Sequence, residues 1–437
     1  MRPSKYNLEV PTDDGALIVN FLSRAVVELD GDALKIFQAL SHDECLDDDV
    51  DEFVRTLRAG LFLVDDNFDE MAYLRRRVLL ERFDENELGI VIAPTMGCNF
   101  SCHYCFEHRP DEAMTREIEE ELLEYVAQQI KGKRTLAVQW FGGEPLRALD
   151  QVRRISEGLI SLAKNEGAHY SSAIVTNGHL LTRDTARLLK RLGIRSAQVT
   201  LDGDKHLHDR TRRSGSMEGS FERLLANIEA ASPFLDVNIR IHVAPFSVSA
   251  VKNLLVDLAA RDIGTHAKSI YFAPLFKYAP SDVSQQFTSD TKRFYDSESF
   301  AAIEVELFKD LRRLRLPMPD LLEASFSVCT AVRANAIVVG PSGRLYKCYF
   351  ELDKPSKSVG RTSIGVLPSD HLHQWLDHEI ARDDECRDCT YLPVCFGGCT
   401  HKWQEGARKS AICTRLKHNA PQLLEQVYLA SRQVEDT

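Results

Sequence analysis

This 437-residue chain has no surplus of positive charge; 54 Lys+Arg stand against 65 Asp+Glu, a net −11 at pH 7. That excludes general affinity for nucleic acid or for anionic membranes, which needs dense cationic surface. No apolar run reaches the roughly 18 residues a transmembrane helix requires, so no membrane span is expected. The opening residues, Met1 to Tyr6, lack the apolar core of a signal peptide, and the chain reads as cytosolic. Cysteine is scarce, 11 residues in all. In a cytosolic protein, cysteines point to metal or redox chemistry rather than disulfides. The length allows two or three domains, and 44% hydrophobic residues suffice for large cores.

Against that scarcity, Cys98, Cys102 and Cys105 form a C-x3-C-x2-C array. Random placement would give this spacing with a probability on the order of 1%. The array follows Leu88-Gly-Ile-Val-Ile-Ala93, which reads as a buried strand. The thiols thus sit just past a strand's C-terminal end, where α/β sheets build active sites. Electron-transfer [4Fe–4S] clusters take four thiolates. Three leave one iron open to a small molecule. Structural zinc wants four closed ligands, and here His103 and His108 are the neighbours that would complete such a site.

The trio, with Tyr104 at its aromatic position, resembles the signature of the radical S-adenosylmethionine (radical SAM) superfamily. The resemblance implies a [4Fe–4S] cluster whose open iron binds S-adenosylmethionine, and reductive cleavage of that cofactor to a 5′-deoxyadenosyl radical. Residues 86–275 alternate strand and helix patterns, with six strand-like segments counting the one before Cys98. Six repeats match the α/β partial (β/α)6 TIM-like barrel of that family. Phe141 is followed by Gly142, Gly143, Glu144 and Pro145, which resemble the family's segment for the methionyl amino group. Thr176 and Asn177 end the next strand and resemble its ribose contacts. Leu201-Asp202-Gly203 precedes His206, His208, Arg210, Arg212 and Arg213. Arg212 suits bidentate contact with the cofactor carboxylate; for Arg210, Arg212 and Arg213 alike, a solvated helix start is an equally consistent reading. The two histidines read as surface or substrate-facing groups.

Seven cysteines lie from Cys329 to Cys413. Cys386, Cys389, Cys395 and Cys399 form a C-x2-C-x5-C-x3-C array flanked by Cys348 and Cys413. On spacing alone it could hold zinc or iron–sulfur. It resembles the SPASM auxiliary-cluster domain. Carried over from that family, Cys386, Cys389, Cys395 and Cys413 close one [4Fe–4S] cluster, and Cys329, Cys348 and Cys399 serve another. Three clusters are implied in all. The second auxiliary cluster's fourth position, with no cysteine near Glu323, is open, or taken by a substrate group or a non-cysteine ligand.

Residues 1–85 read as a small winged-helix-like unit, with strands at Gly15–Val19 and Ala25–Leu29, helices at Asp32–Leu40 and Phe53–Arg58, and a wing at Gly60–Asp65. It resembles a peptide-recognition domain fused to peptide-modifying enzymes; a structural cover for the barrel edge is the other reading. The acidic run Asp47 to Glu52 reads as a solvated helix start, and Cys45 as a buried small residue. Residues 276–325 read as a bridge, 326–425 as the SPASM domain and 426–437 as a tail.

The resemblance implies a cytosolic oxidoreductase supplied by a flavodoxin- or ferredoxin-type electron donor and acting on a peptide or protein. One form is a maturase that builds a thioether or carbon–carbon crosslink in a ribosomally made precursor peptide, its leader held by residues 1–85. The other is an anaerobic sulfatase maturase, which makes formylglycine and carries an Asp directly after the cysteine that here is Cys348. Tyr349 stands there instead, which favours the crosslinking form. Asp202, Tyr349 and Glu351 are the candidate bases. A non-catalytic iron–sulfur electron-transfer or zinc-binding protein would account for the C-terminal cysteines, but not for the trio combined with Gly142 to Pro145.

Overall fold

The computed structural model describes residues 1–40, 51–107, 110–213, 219–261, 263–275, 294–321 and 328–435. Cys45, Asp47 to Asp49, His108, the Pro280 to Ser289 segment and Glu323 lie outside them.

The N-terminal unit opens with β1 (Arg2–Pro3), β2 (Asn7–Pro11), β3 (Gly15–Asn20) and β4 (Val26–Asp30). Strands β2, β3 and β4 form an antiparallel sheet, and β1 pairs with β5 (Leu63–Val64). Side chains alternate across a strand, and in β3 both faces are used. Ala16 and Ile18 pack on Phe37 and Leu57 of the helices Gly31–Leu40 and Asp51–Ala59. Leu17 and Val19 join a second core that also contains Leu88 and Ile90 of the barrel. The first unit therefore shares its core with the barrel.

A helix that the sequence pattern did not signal, Glu70–Arg82, makes the junction. Its buried positions are Glu70, Leu74, Val78 and Arg82, one residue per turn. Two of the four are charged, so no apolar stripe stands out. Glu70 accepts hydrogen bonds from Ser4 (2.5 Å) and Arg2 (2.6 Å). Arg82 donates to the carbonyls of His378 (2.8 Å) and Leu376.

Six parallel strands follow in sequence order: β6 (Glu87–Ile92), β7 (Thr135–Trp140), β8 (His169–Thr176), β9 (Ile194–Leu201), β10 (Asp236–Val243) and β11 (Ser269–Pro274). The helices Arg116–Gln129, Leu149–Glu166, Arg183–Arg191, Phe221–Ala231 and Val248–Ala260 connect them. Side-chain caps start several of these elements; Thr115 accepts from Ile118 N and Thr182 from Thr185 N. The expected alternating α/β partial barrel is present.

On its other edge, β6 pairs in parallel with β12 (Ala336–Val339), which turns back through β13 (Arg344–Tyr346), β14 (Gly360–Arg361) and β15 (Gly365–Val366). One ten-stranded sheet thus runs from the barrel into the cysteine-rich region. The helix Ser297–Arg313 packs against a 20-residue C-terminal helix, Leu416–Glu435. Arg415 grips Glu304 at 2.7 Å. The reading of residues 426–437 as a tail is corrected. Gln426 is buried, and the Tyr428 hydroxyl donates to Glu28 of β4 at 2.5 Å. Among the described residues, no helix is long and apolar enough to cross a membrane.

Candidate active site

The cysteine loop leaves the C-terminal end of β6 and is stitched to the turn after β7. Gly143 N donates to Thr95 O (3.1 Å) and Glu144 N to Gly97 O (3.0 Å). This contact explains the paired glycines. A Cβ on Gly142 would lie 2.5 Å from Thr95 O, and one on Gly143 2.2 Å from Met96 O. Gly142 also has φ +104°, which L side chains rarely adopt.

Glu144 is fully buried and does not line the cavity described below. Its carboxylate accepts from Leu146 N (2.9 Å), the Thr176 hydroxyl (2.8 Å) and Asn177 N (2.7 Å). It is the clamp that joins the β7 and β8 ends, while Pro145 starts the short helical turn beneath it. Burial pushes the Glu144 pKa up against the pull of those hydrogen bonds. The Asn177 side chain donates to Asn99 (2.8 Å) and approaches Cys98 Sγ at 3.7 Å.

A second polar cluster closes the opposite wall. Tyr104 donates to Asp202 Oδ2 (2.6 Å) and accepts from Arg212 Nη1 (2.8 Å). Asp202 also accepts from the Thr211 hydroxyl (3.0 Å) and meets His242 Nδ1 at 3.2 Å. Arg212 lies 3.8 Å from Asp202, with both side chains nearly inaccessible. Burial works to raise the Asp202 pKa, but His242 and Arg212 outweigh it and hold the carboxylate well below its usual range. Burial, aided by nearby arginines, pulls His242 down to about 4, so the imidazole is neutral.

Several expectations change here. Asp202 does not line the cavity; it sits behind Tyr104 and His242 with its oxygens engaged, which suits a holding group and not a base for a substrate. His208 is not on the surface but 0% exposed, its Nδ1 accepting from Asp202 N at 3.4 Å. Glu351 is buried and paired with His371 at 2.9 Å, away from the cavity. His206, Arg210 and Arg213 are exposed, but Arg210 lies in the last turn of the helix Lys205–Thr211 and Arg213 beyond its end, so the helix-start reading of these arginines is corrected. The sequence reading passed over His242 and Arg240, which stand two apart on β10 and face the cavity.

The cavity holds about 220 Å3 and reaches from Cys98, Cys102 and Cys105 past Gly142, Gly143, Thr176 and Asn177 to Arg212 and His242. Its roof is aromatic. Phe141 meets Tyr349 at 4.8 Å between ring centroids, and Phe106 meets Phe350 at 4.4 Å. Tyr349 is thus placed on the cavity wall. The buried Nε atoms of Arg212 and Arg240, both wall residues, have no hydrogen-bond partner among the described residues. Three thiols at one end and two buried guanidinium Nε donors without acceptors among the described residues fit a cluster with an amino-acid cofactor carrying a carboxylate.

The remaining thiols separate into two groups. Cys386, Cys389, Cys395 and Cys413 line one small cavity with Lys409 and Lys417 at its rim. Cys329, Cys348 and Cys399 lie within electrostatic reach of one another. Among the described residues, no group of three His, Cys, Asp or Glu side chains closes to single-ion geometry.

The chain matches the radical SAM superfamily over residues 92–255. The cysteine-type anaerobic sulfatase-maturating enzyme of Clostridium novyi is 22% identical over 365 residues, 76% of this chain and 93% of that enzyme. The fold is similar to that of native anSMEcpe with bound AdoMet, with a TM-score of 0.60 and 18% identity over 79% of this chain and 99% of that one. It is also similar to Streptococcus suis SuiB bound to its precursor peptide SuiA, with a TM-score of 0.51 and 16% identity over 95% of this chain and 98% of that one.

Proposed function

We infer, from the premise that this chain is a radical SAM enzyme with its radical SAM domain at residues 92–255, that it is a maturase of a ribosomally made peptide and forms a thioether or carbon–carbon crosslink. The observation that carries this reading is Tyr349. Directly after Cys348, where the formylglycine-forming relatives resembled in the sequence place a carboxylate, this chain puts an aromatic ring on the cavity wall. SuiB, similar along nearly the whole chain, is bound to a precursor peptide.

In this reading Cys98, Cys102 and Cys105 hold a [4Fe–4S] cluster, and Arg212, whose Nε has no partner among the described residues, takes the cofactor carboxylate. The bound cluster and S-adenosylmethionine supply one-electron sulfonium cleavage and a hydrogen-abstracting carbon radical. The chain's own residues do the rest. Asp202 fixes Tyr104 and Arg212. Glu144 locks the β7 and β8 ends. Phe106, Phe141, Tyr349 and Phe350 supply an aromatic wall against which a substrate side chain would pack. The two C-terminal thiol groups are assigned one auxiliary cluster each, giving three clusters and an acceptor for the electron that crosslinking releases. A flavodoxin- or ferredoxin-type protein supplies the reducing electron, and residues 1–85 hold the leader.

Formylglycine formation is the second reading, favoured by the name of the C. novyi relative. Anaerobic reconstitution and mass spectrometry separate the two. Peptides from short reading frames beside the gene should lose two hydrogens in a crosslink. A cysteine peptide of sulfatase type converted instead to an aldehyde would overturn the crosslinking proposal.

A further inference from the structure

The turn from Cys395 to Cys399 carries one thiol of each C-terminal group. It is built from three consecutive left-handed residues, Phe396 (φ +50°), Gly397 (φ +78°) and Gly398 (φ +81°). L side chains rarely adopt that backbone, and a Cβ on Gly397 would lie 2.7 Å from Ile380 O. Two side chains hold the turn by its carbonyls. His378 Nε2 donates to Phe396 O at 2.7 Å, and Trp403 Nε1 to Gly397 O at 2.8 Å. A carbonyl only accepts, so His378 carries its proton on Nε2. Its Nδ1 is then the acceptor for the Thr400 hydroxyl (2.8 Å) and for Arg382 (3.3 Å). The residue is buried, and Arg82 anchors its backbone carbonyl at 2.8 Å.

One donor of the turn is left over. Phe396 N bonds Leu392 O at 2.9 Å and Gly398 N bonds Cys395 O at 2.8 Å, but the buried Gly397 N–H has no acceptor among the described residues. Orphaned buried amides are rare. The Phe396–Gly397 peptide is trans, so this N–H points away from the carbonyl that His378 holds. Gly397 lines the small cavity of Cys386, Cys389, Cys395 and Cys413. The lysines at that cavity's rim are already matched, Lys409 by Asp383 at 2.6 Å and Lys417 by Glu385 at 2.5 Å. A donor beside a thiolate cluster stabilises the more negative, reduced form, and hydrogen bonds to the sulfurs are one lever on its potential. The His378 bond to the same peptide strengthens the N–H as a donor, because linked hydrogen bonds polarise one another.

We propose that the Gly397 amide donates a hydrogen bond to the cluster of the four-cysteine group and raises its reduction potential, and that His378 is the positioning residue that holds and polarises this amide. The proposal rests on the auxiliary-cluster reading above and adds what makes that group the better electron acceptor.

Redox titration of the reconstituted full-length chain, followed by electron paramagnetic resonance, tests it. The signal of this cluster is the one lost on Cys413→Ala. His378→Leu should keep the iron content and shift the reduction equilibrium of that signal about tenfold toward the oxidised form, the scale of one hydrogen bond to a charged group, or about 59 mV for a one-electron couple. His378→Gln, which still offers an N–H to Phe396 O, should recover most of the shift. Trp403→Phe loosens the same turn without touching the Phe396–Gly397 peptide and should move the potential less. Where His378→Leu does not fold, the wild-type chain grown with isotopically labelled glycine nitrogen decides. The reduced signal should then show hyperfine coupling to the label, since Gly397 is the one glycine among the described residues lining that cavity. An unmoved potential in His378→Leu, an equal shift in Trp403→Phe, or no coupling to labelled glycine would overturn the proposal alone. A wild-type chain lacking both that signal and about four irons would overturn the cluster reading and the proposal with it.

Discussion

Replacing Asp202 by Asn separates a holding role from a chemical one. Its carboxylate lies 3.8 Å from Arg212, with side-chain exposures of 5% and 7% respectively. At an effective dielectric of about 20, two unit charges at that distance attract by about 4 kcal/mol. The substitution keeps the shape, removes that attraction and leaves a buried guanidinium without its counter-charge, typically a loss of about 3–5 kcal/mol. Tyr104 and Thr211 also compete for fewer acceptor sites. We expect Asp202→Asn to lower the unfolding free energy by about 3 kcal/mol and to weaken S-adenosylmethionine binding at least about tenfold. Adding Arg212→Gln removes the stranded charge, so the double variant should be about 1–3 kcal/mol more stable than the sum of the singles. The pH dependence has a definite sign. A carboxylate whose folded pKa is depressed contributes fully above its unfolded value near ~4 and loses that contribution as pH falls below it. The gap between wild type and variant should therefore be flat from about pH 6 to 9. Urea denaturation, anaerobic calorimetry with the cofactor and initial rates of 5′-deoxyadenosine formation measure these quantities. A variant that binds and unfolds like the wild type, yet turns over slowly with a shifted pH profile, would make Asp202 a proton-transfer group and refute the holding role.

Gly143→Ala places a Cβ 2.2 Å from Met96 O and must push the cysteine loop outward. Cofactor cleavage should drop by about two orders of magnitude, and an unchanged rate would show that the loop absorbs the methyl. His208→Gln tests the buried imidazole. Burial pulls its pKa down to about 4, so wild-type stability should erode between about pH 6.5 and 4 as the unfolded chain takes up the proton first. The variant should erode less, and identical slopes would refute the assignment. Cys386→Ala or Cys413→Ala should remove about four of roughly twelve irons per chain while cofactor cleavage persists, and undiminished iron would dissolve the proposed group. Lys347 Nζ donates to the carbonyls of Arg333 and Ala336 at 2.6 Å each. Lys347→Met strands two buried acceptors, at about 1–3 kcal/mol each, and should loosen the Cys329, Cys348 and Cys399 group first, read as iron lost with cleavage retained; loss of cleavage before iron would contradict this.

The barrel strands were legible because short β-branched and apolar segments, one a continuous run and most alternating, recur between helical patterns. The cysteine loop and the glycine pair were legible because their spacing is local. The polar wall was not, and β10 shows why. Val237, Ile239, Ile241 and Val243 are fully buried, while the alternate Arg240 and His242 face the cavity. In sequence that alternation is indistinguishable from a half-exposed strand with its polar side in solvent. The helix Glu70–Arg82 was hidden because its buried stripe spends two of four positions on charge, Glu70 and Arg82, whose partners lie in distant parts of the chain. Asp202 was visible as a residue but not as a role. Only the structure shows Tyr104, 98 residues away, between it and the cavity.

The pairing of β12 with β6 decides how the two ends of the proposed chemistry relate. Ala336 to Val339 register against Gly89 to Ile92, and Ala93 N continues the ladder to Val339 O at 2.9 Å. Cys98 follows one of these strands directly, and Cys348 follows the hairpin partner of the other. A one-residue slip would turn every side chain of β12 to the opposite face, and all four are buried. Separate domains joined by a linker move relative to each other by default, but here the sheet itself sets the separation between the cysteine trio and the Cys348 group. The aromatic roof spans that interval, with Phe106 and Phe141 from the barrel loops against Tyr349 and Phe350 from the hairpin. A substrate side chain beneath this roof would meet the hydrogen-abstracting centre and the Cys348 group in one fixed geometry. A reaction that takes a hydrogen atom at one site and delivers an electron at another needs that constancy, because a radical left waiting for a moving acceptor would react elsewhere.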